Sequence, residues 1–336
     1  MYLKIFILNP TAKLINITPK RITKKIFCLI KLYAVIIVKL ISTRYDLVYI
    51  TPCAWGLAFY KDYLVSFFVR LFHRGNVVYH FHTKGIATSK HVPKIIKKDF
   101  FKNIKVILLS PFFYYDISEF VPRDHVFYLP NGVNPAGSSL VISREHKEVN
   151  ILFLSNMMKD KGVFILLEAC KILKEKEVKF LCNFVGPWYD IKEKDFARFV
   201  QENKIDVYIN YFGAQYGEAK EEFFKNADIF VLPTFDECFP LVILEAMAFA
   251  VPIVSTYTGA IPEIIENFKE GFLVEMNNPQ ALADAVEKLI VDVNLRKTMG
   301  LNALEKYKKN YTIEKFEDNF INIMNELMKR KVRKSR

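Results

Sequence analysis

Glu237 and Glu245 stand with seven residues between them in the stretch Glu237-Cys-Phe-Pro-Leu-Val-Ile-Leu-Glu245, and the second acid interrupts a run from Phe239 to Ala250 that is otherwise apolar. A helix from Leu241 to Phe249 would turn Val242, Ile243, Leu244, Met247 or Phe249 to every side, so no polar stripe carries Glu245 to water. Desolvating an unpaired carboxylate costs several kcal/mol, so this acid needs partners. Sugar hydroxyls would serve, as would backbone amides or an arginine, and the acid by itself does not choose between a binding role and a structural one.

Other residues able to do chemistry cluster near predicted strand ends. A strand that ends at Thr234 places Phe235 to Phe239 at the carboxyl edge of a parallel sheet, where doubly wound folds bind ligands, and so exposes Glu237. The helix expected from about Pro240 offers free amides and a positive end to sugar oxygens or a diphosphate. His80 and His82, two apart at the end of another strand, share one face. Two imidazoles could begin a zinc site, but no third ligand is evident.

The elements that must position these groups are read from hydrophobic runs. Short apolar segments alternate with longer amphipathic ones, the pattern of β-α-β units around parallel sheets. Strands are expected over 4–8, 46–51, 76–81, 106–109 and 125–129, then over 149–154, 179–185, 208–212, 228–232, 252–255 and 271–274. Each set suits one doubly wound sheet. Between them, residues 131–139 are dense in Asn, Gly, Pro and Ser and read as a hinge. The division expected is therefore a first domain over 1–138, a second over 139–310, and a closing helix with a basic tail over 311–336 that packs back towards the first domain. Helices are expected over 294–309 and 312–329, with Thr312 and Glu314 suited to an N-terminal cap. The segment 24–43 is strongly apolar but carries Lys31 and Lys39 on roughly one side. It reads as a helix with its apolar side against the first sheet, or as one lying on a membrane.

Length and composition bound the classes. A chain of 336 residues, half of them hydrophobic, is globular and too long for one typical core. Five scattered cysteines without a Cys-x-x-Cys pattern argue against a disulfide framework and fit a reducing cytoplasm. Neither a spanning helix nor a signal peptide is favoured. Residues 1–140 hold 20 Lys and Arg against 6 Asp and Glu, a net charge of +14, which leaves −2 for the rest. Such a basic lobe suits anionic lipid, nucleic acid or a phosphorylated acceptor.

From Asp228 the chain reads Asp-Ile-Phe-Val-Leu-Pro-Thr-Phe-Asp-Glu-Cys-Phe-Pro-Leu-Val-Ile-Leu-Glu-Ala-Met-Ala, followed by Val251-Pro-Ile-Val-Ser-Thr256 and Thr258-Gly-Ala-Ile-Pro-Glu263. This resembles the donor-binding core of GT-B glycosyltransferases, most closely the retaining enzymes of glycosyltransferase family 4. The resemblance covers roughly residues 40–330 and weakens towards the N-terminus. It implies an α/β fold of two Rossmann-like doubly wound domains facing a central cleft, with the first domain shortened: no glycine occurs before Gly56, where the family usually has a glycine-rich loop. It implies that Glu237 bonds the transferred sugar, that Cys238, Phe239, Pro240 and Leu241 surround the donor with amides near Phe239 and Leu241 assisting, and that Glu245 grips the ribose.

Further matches carry further expectations. Phe153-Leu-Ser-Asn-Met-Met-Lys-Asp-Lys-Gly162 is similar to the family's diphosphate loop, with Lys161 in place but Asn156 where an arginine is usual, so either Lys159 compensates or the donor is held more weakly. Phe184-Val-Gly-Pro187 and Tyr211-Phe-Gly213, with Lys220 beyond, resemble the glycine turns at Gly186 and Gly213 that edge the nucleotide, and a helix start near Gly259 is expected at the phosphate end. Leu129-Pro-Asn-Gly-Val-Asn134 resembles the interlobe sequence. His82 matches the family histidine that faces the donor sugar, and Lys84 and Arg74 are candidates for the acceptor.

The activity implied is a retaining, metal-independent transfer of a sugar from a nucleoside diphosphate to a hydroxyl of a lipid-linked saccharide or polysaccharide precursor. No cofactor and no nucleic-acid partner are expected. The expected location is cytoplasmic, peripheral on the inner face of an anionic membrane. Two rivals are a catalytically silent GT-B protein that binds membrane or a partner, and a nucleotide-sugar epimerase using Asp62, Asp99 or Asp116.

Overall fold

The computed structural model describes residues 5–8, 22–73, 75–86, 88–135 and 148–332. It divides into two compact units, one of residues 1–130 with 317–336 and the other of residues 131–316. The segment 136–139 of the expected hinge, and the boundary at 138, lie outside the described residues.

The first unit runs β1 (Ile5–Leu8), α1 (Ile22–Ser42), β2 (Leu47–Ile50), α2 (Gly56–Phe72), β3 (Asn76–Phe81), α3 (Lys94–Phe100), β4 (Lys105–Leu108) and β5 (Val126–Tyr128). Its five strands are all parallel and lie in sequence order. Right-handed crossovers in one direction put the connecting helices on one face, and the side-chain alternation of β3 follows from that. Tyr79 turns to the helices, stacking on Phe100 of α3 at 4.6 Å and bonding Ser66 of α2. His80, one residue on, turns the other way, towards Tyr49 of β2.

The second unit runs β6 (Val149–Leu154), α4 (Val163–Glu175), β7 (Phe180–Val185), α5 (Glu193–Glu202), β8 (Ile209–Tyr211), α6 (Gly217–Asn226), β9 (Ile229–Leu232), α7 (Leu241–Ala248), β10 (Ile253–Thr256), α8 (Ile261–Ile264), β11 (Gly271–Val274), α9 (Pro279–Val291) and α10 (Val293–Asn310). Its parallel strands take the order β11-β10-β9-β6-β7-β8. The chain thus leaves β6 in one direction, through β7 and β8, and returns on the other side at β9. That reversal is a topological switch point, and it falls between the carboxyl ends of β6 and β9. Helices cover both faces, which is why β9 and β10 are buried at every residue and read as unbroken apolar runs in the sequence. Burying one such Val, Leu or Ile contributes about 1.5–3 kcal/mol.

The closing helix, α11 (Ile313–Val332), begins in the second unit and continues in the first. Thr312 accepts from the Lys315 amide at its start, as a capping residue should. Within the first unit, Phe320 of α11 meets Tyr49 edge-on at 5.7 Å, and the Leu327 carbonyl accepts from Asn76. No helix among the described residues is long and apolar enough to cross a membrane.

Candidate active site

The switch point of the second sheet brings Lys161 and Glu237 together. Lys161 ends a 3₁₀ turn, Lys159–Lys161, that follows β6, while Glu237 lies in the loop that follows β9. The lysine Nζ donates to Glu237 Oε1 at 2.5 Å and to the Asp236 carbonyl at 3.1 Å. Both side chains are mostly covered yet reach the surface.

Backbone and hydroxyl bonds fix this pair from below. Thr234, fully buried, donates through Oγ1 to the Asp160 carbonyl at 2.9 Å, and the Phe235 amide donates to the same oxygen at 2.7 Å. Thr256 of β10 donates to the Thr234 carbonyl at 2.6 Å. Gly162 holds a left-handed φ of 77°, and a Cβ there would meet the Pro233 carbonyl at 2.1 Å, so only glycine lets the Lys161 turn approach the end of β9. Gly259, at φ 55°, repeats the device: its missing Cβ would lie 2.2 Å from the Glu237 carbonyl.

Glu245 requires a correction. It lies on α7, but the helix is not covered all round: Leu241, Val242 and Glu245 form a less buried strip, and Leu241 is exposed. The carboxylate, 16 % exposed, is bonded at Oε1 by Lys220 Nζ of α6 at 2.6 Å. Its charge is balanced by the protein, so an unmet need for partners no longer argues for a ligand. What remains is placement: Glu245 is an ion-paired acid on the helix that follows Glu237.

The remaining residues fall at the same sheet edge or supply only backbone. Asn156 and Lys159 are exposed in the loop after β6, where the Lys159 amide donates to Asp190 at 2.9 Å. Gly186 and Gly213 follow β7 and β8, and the Gly186 amide donates to the Gly213 carbonyl at 2.7 Å. The Cys238 carbonyl accepts from Ala260 at 2.9 Å. Phe239 is buried edge-on against Tyr311, and Pro240 caps α7, so both serve the loop's shape. The helix start expected near Gly259 is a single turn, α8, whose amides at Ala260, Ile261, Glu263 and Ile264 already bond carbonyls of Cys238, Thr258 and Ala260. It has none of these to spare for a phosphate.

In the first unit, His82 follows β3 at the carboxyl edge of the other sheet and reaches the surface, while the protein packed around its ring desolvates it and lowers its pKa. Its ring lies 4.1 Å from that of His80. His80 is fully buried, its Nδ1 is 2.5 Å from the Tyr49 hydroxyl, and burial, then the neighbouring His82, lowers its pKa to about 3. It is therefore neutral at physiological pH. Sequence reasoning paired the two histidines by alternation but had no signal for Tyr49. Among the described residues no three His, Cys, Asp or Glu side chains gather as a metal site. Lys84 lies in the loop after β3, and Arg74 lies outside the described residues.

The three carboxylates open to an epimerase reading are committed elsewhere. Asp62 accepts from the Cys53 amide at 2.8 Å and pairs with Lys61. Asp99 pairs with Arg70 at 2.8 Å, which holds its carboxyl below the usual range. Asp116 accepts from the amides of Gly85 and Ile86 and shapes the loop after β3.

A basic and an acidic side chain at the switch point of a parallel sheet make a site for a ligand that carries both anionic and hydroxyl groups. Residues 141–306 match the family model of glycosyl transferases group 1. The second unit is a glycosyl transferases group 1 domain. Over 175 residues, half of this chain and 44 % of the relative, the sequence is 32 % identical to the capsular polysaccharide biosynthesis glycosyltransferase CapM of Staphylococcus aureus. The chain spans about half the length of the curated relatives it matches. A glycosyltransferase structure from Rickettsia africae superposes with a TM-score of 0.73 at 21 % identity, covering 94 % of this chain and 84 % of that one. Anabaena HepE, solved in complex with UDP, superposes with a TM-score of 0.71 at 18 % identity over 88 % and 82 %. Two parallel-sheet α/β units with these neighbours make the fold GT-B, and the group 1 domain holds the Lys161–Glu237 pair.

Proposed function

We propose that the chain transfers a sugar, with retention of anomeric configuration, from a nucleoside diphosphate sugar to a hydroxyl of a lipid-linked saccharide or polysaccharide precursor at the inner face of a membrane. The observation that carries this reading is the Lys161–Glu237 pair at the switch point. A diphosphate would take over the Lys161 ammonium, and sugar hydroxyls would take over the Glu237 carboxylate, so one ligand satisfies both halves of the pair. Glu245, with one oxygen held by Lys220, has the other to offer a ribose. Leu241 and the start of α7 border the sugar, and Asn156 and Lys159 border the diphosphate. His82 is the first unit's candidate for positioning and stabilising the transferred sugar, and Lys84 its candidate for the acceptor. CapM supports a polysaccharide product, and HepE, solved with UDP and with UDP-glucose, supports a uridine nucleotide.

In the step proposed, the acceptor oxygen bonds the anomeric carbon on the face from which the diphosphate departs, the carbon–phosphate-oxygen bond breaks, and the acceptor proton passes to the departing phosphate. Charge grows on the leaving group, and Lys161 would offset it; one preorganised donor of this kind contributes about 3–4 kcal/mol. No metal ion is needed for that role, and turnover unchanged by EDTA is expected. The test is turnover with the best donor from a panel of uridine, guanosine and adenosine diphosphate sugars. Glu237→Ala and Lys161→Ala should each lower kcat by about two orders of magnitude or more while the fold is retained. Near-normal rates in both variants would refute the assignment.

A further inference from the structure

The outer side of the first unit's helical layer has the wrong chemistry for a surface facing only water. Tyr33 of α1 donates to the Lys61 carbonyl of α2 and packs on Phe68 at 5.7 Å, which fixes how the two helices lie together. Ile36 and Leu40 of α1, and Phe59, Val65 and Val69 of α2, fill the core. The opposite sides should then be polar. Instead Ile30, Val38 and Ile41 of α1 are 60 %, 63 % and 67 % exposed. Leu64, Phe67 and Leu71 of α2, at i, i+3 and i+7, are exposed as well. By helical rotation both stripes flank the seam marked by Tyr33, so they form one apolar face across two helices. Large apolar side chains exposed together on two packed helices mark an interaction surface.

Charge decides the occupant. Lys31 is exposed on α1 beside Val38 by helical rotation, whereas Lys39 is exposed on the far flank of that helix, and residues 1–140 carry a net charge of +14. A second copy docking through this face would bring two strongly basic lobes together, whereas an anionic bilayer meets both the apolar stripe and the cations around it. Beside the face, a cavity of about 480 Å³ bordered by Phe67, Leu71, Arg70 and Lys102 continues it towards basic side chains. There Arg70 is already paired with Asp99, which leaves Lys102 to add positive charge. This cavity lies at the amino edge of the first sheet, the end opposite His82.

We infer that the α1–α2 face is a docking surface for an anionic phospholipid bilayer, with Ile30, Val38, Ile41, Leu64, Phe67 and Leu71 entering the headgroup–acyl boundary and Lys31 and Lys102 meeting the headgroups. The inference names the partner that the proposed lipid-linked acceptor requires, and it rests on that reading only for its purpose, not for its geometry.

The test is co-sedimentation of the full chain with phosphatidylcholine vesicles that contain or lack phosphatidylglycerol. Wild type should sediment with the anionic vesicles and bind neutral ones at least about tenfold more weakly. Val38→Glu and Leu71→Glu together should lower anionic-vesicle binding by about tenfold or more. Both side chains are exposed, so folding should survive, and an unchanged melting temperature checks this. Nucleotide binding that survives in the variant while vesicle binding is lost would support this surface specifically. Vesicle binding unaffected by the two glutamates would overturn the inference, whatever the donor experiments show. So would equal binding to neutral vesicles, or a solution dimer that the same glutamates dissociate.

Discussion

Replacing Lys220 by methionine removes the only charge bonded to Glu245 in the hydrogen-bond network described above while keeping most of the aliphatic volume. The pair is short, at 2.6 Å, and its side chains are 27 % and 16 % exposed, so it is neither a surface ion pair nor a fully buried one. Exposed pairs contribute about 0.2–1 kcal/mol, and breaking buried ones costs about 3–5 kcal/mol. The exposure places this one near the middle, at about 1–2 kcal/mol. The orphaned carboxylate should then protonate more readily or turn away, and the ribose contact should weaken by a similar amount, about tenfold in Kd. Isothermal titration with UDP, run on wild type, Lys220→Met, Glu245→Gln and the double variant, closes a double-mutant cycle. The two single losses should exceed the double by about 1 kcal/mol. Strict additivity, or a Lys220→Met affinity equal to wild type, would show that the lysine neither orients nor charges the acid for the nucleotide.

Two further outcomes follow from the geometry. His80 binds a proton in the unfolded chain below its ordinary pKa of 6.5 but not in the fold until about pH 3, so between those values the unfolded state holds the extra proton and stability rises with pH. Its contribution is intact above about pH 6.5 and is lost as the pH falls, at up to about 1.4 kcal/mol per pH unit. Thermal melts from pH 7 to pH 5 should therefore fall less steeply for His80→Asn than for wild type, and equal slopes would contradict the burial argument. Asn156 is exposed beside the Lys161 turn, so Asn156→Arg should restore a bidentate cation and tighten UDP by about tenfold. Affinity unchanged by that arginine, measured by titration, would place the diphosphate elsewhere.

The fold was legible because both sheets are parallel and covered. Strands such as Val149–Leu154 and Gly271–Val274 were bounded by turn residues and stood out as apolar runs. That Lys161, Glu237 and the two glycine turns would follow strand ends was legible for a related reason, since loops at carboxyl ends are where such folds bring polar groups together. The partner of Glu245 was not. Lys220 lies 25 residues earlier on α6 and reaches the acid only through the order of β9 and β6 in the sheet, which no local pattern encodes. The same ignorance of packing hid the half-open side of α7 at Leu241 and Val242. The single turn of α8 looked like a usable helix start because Gly-x-x-Pro marks where a helix begins, not how soon it ends. On α1, apolar periodicity announced a buried side but could not say that the other side would stay apolar and open.

A crystal soaked with UDP-glucose, or with whichever nucleoside diphosphate sugar binds best, tests the central claim most directly. The diphosphate should lie within hydrogen-bond distance of Lys161 Nζ, with the Glu237 carboxylate released from the lysine and bonded to sugar hydroxyls. A nucleotide bound away from the gap between the ends of β6 and β9, with the Lys161–Glu237 pair intact, would contradict it.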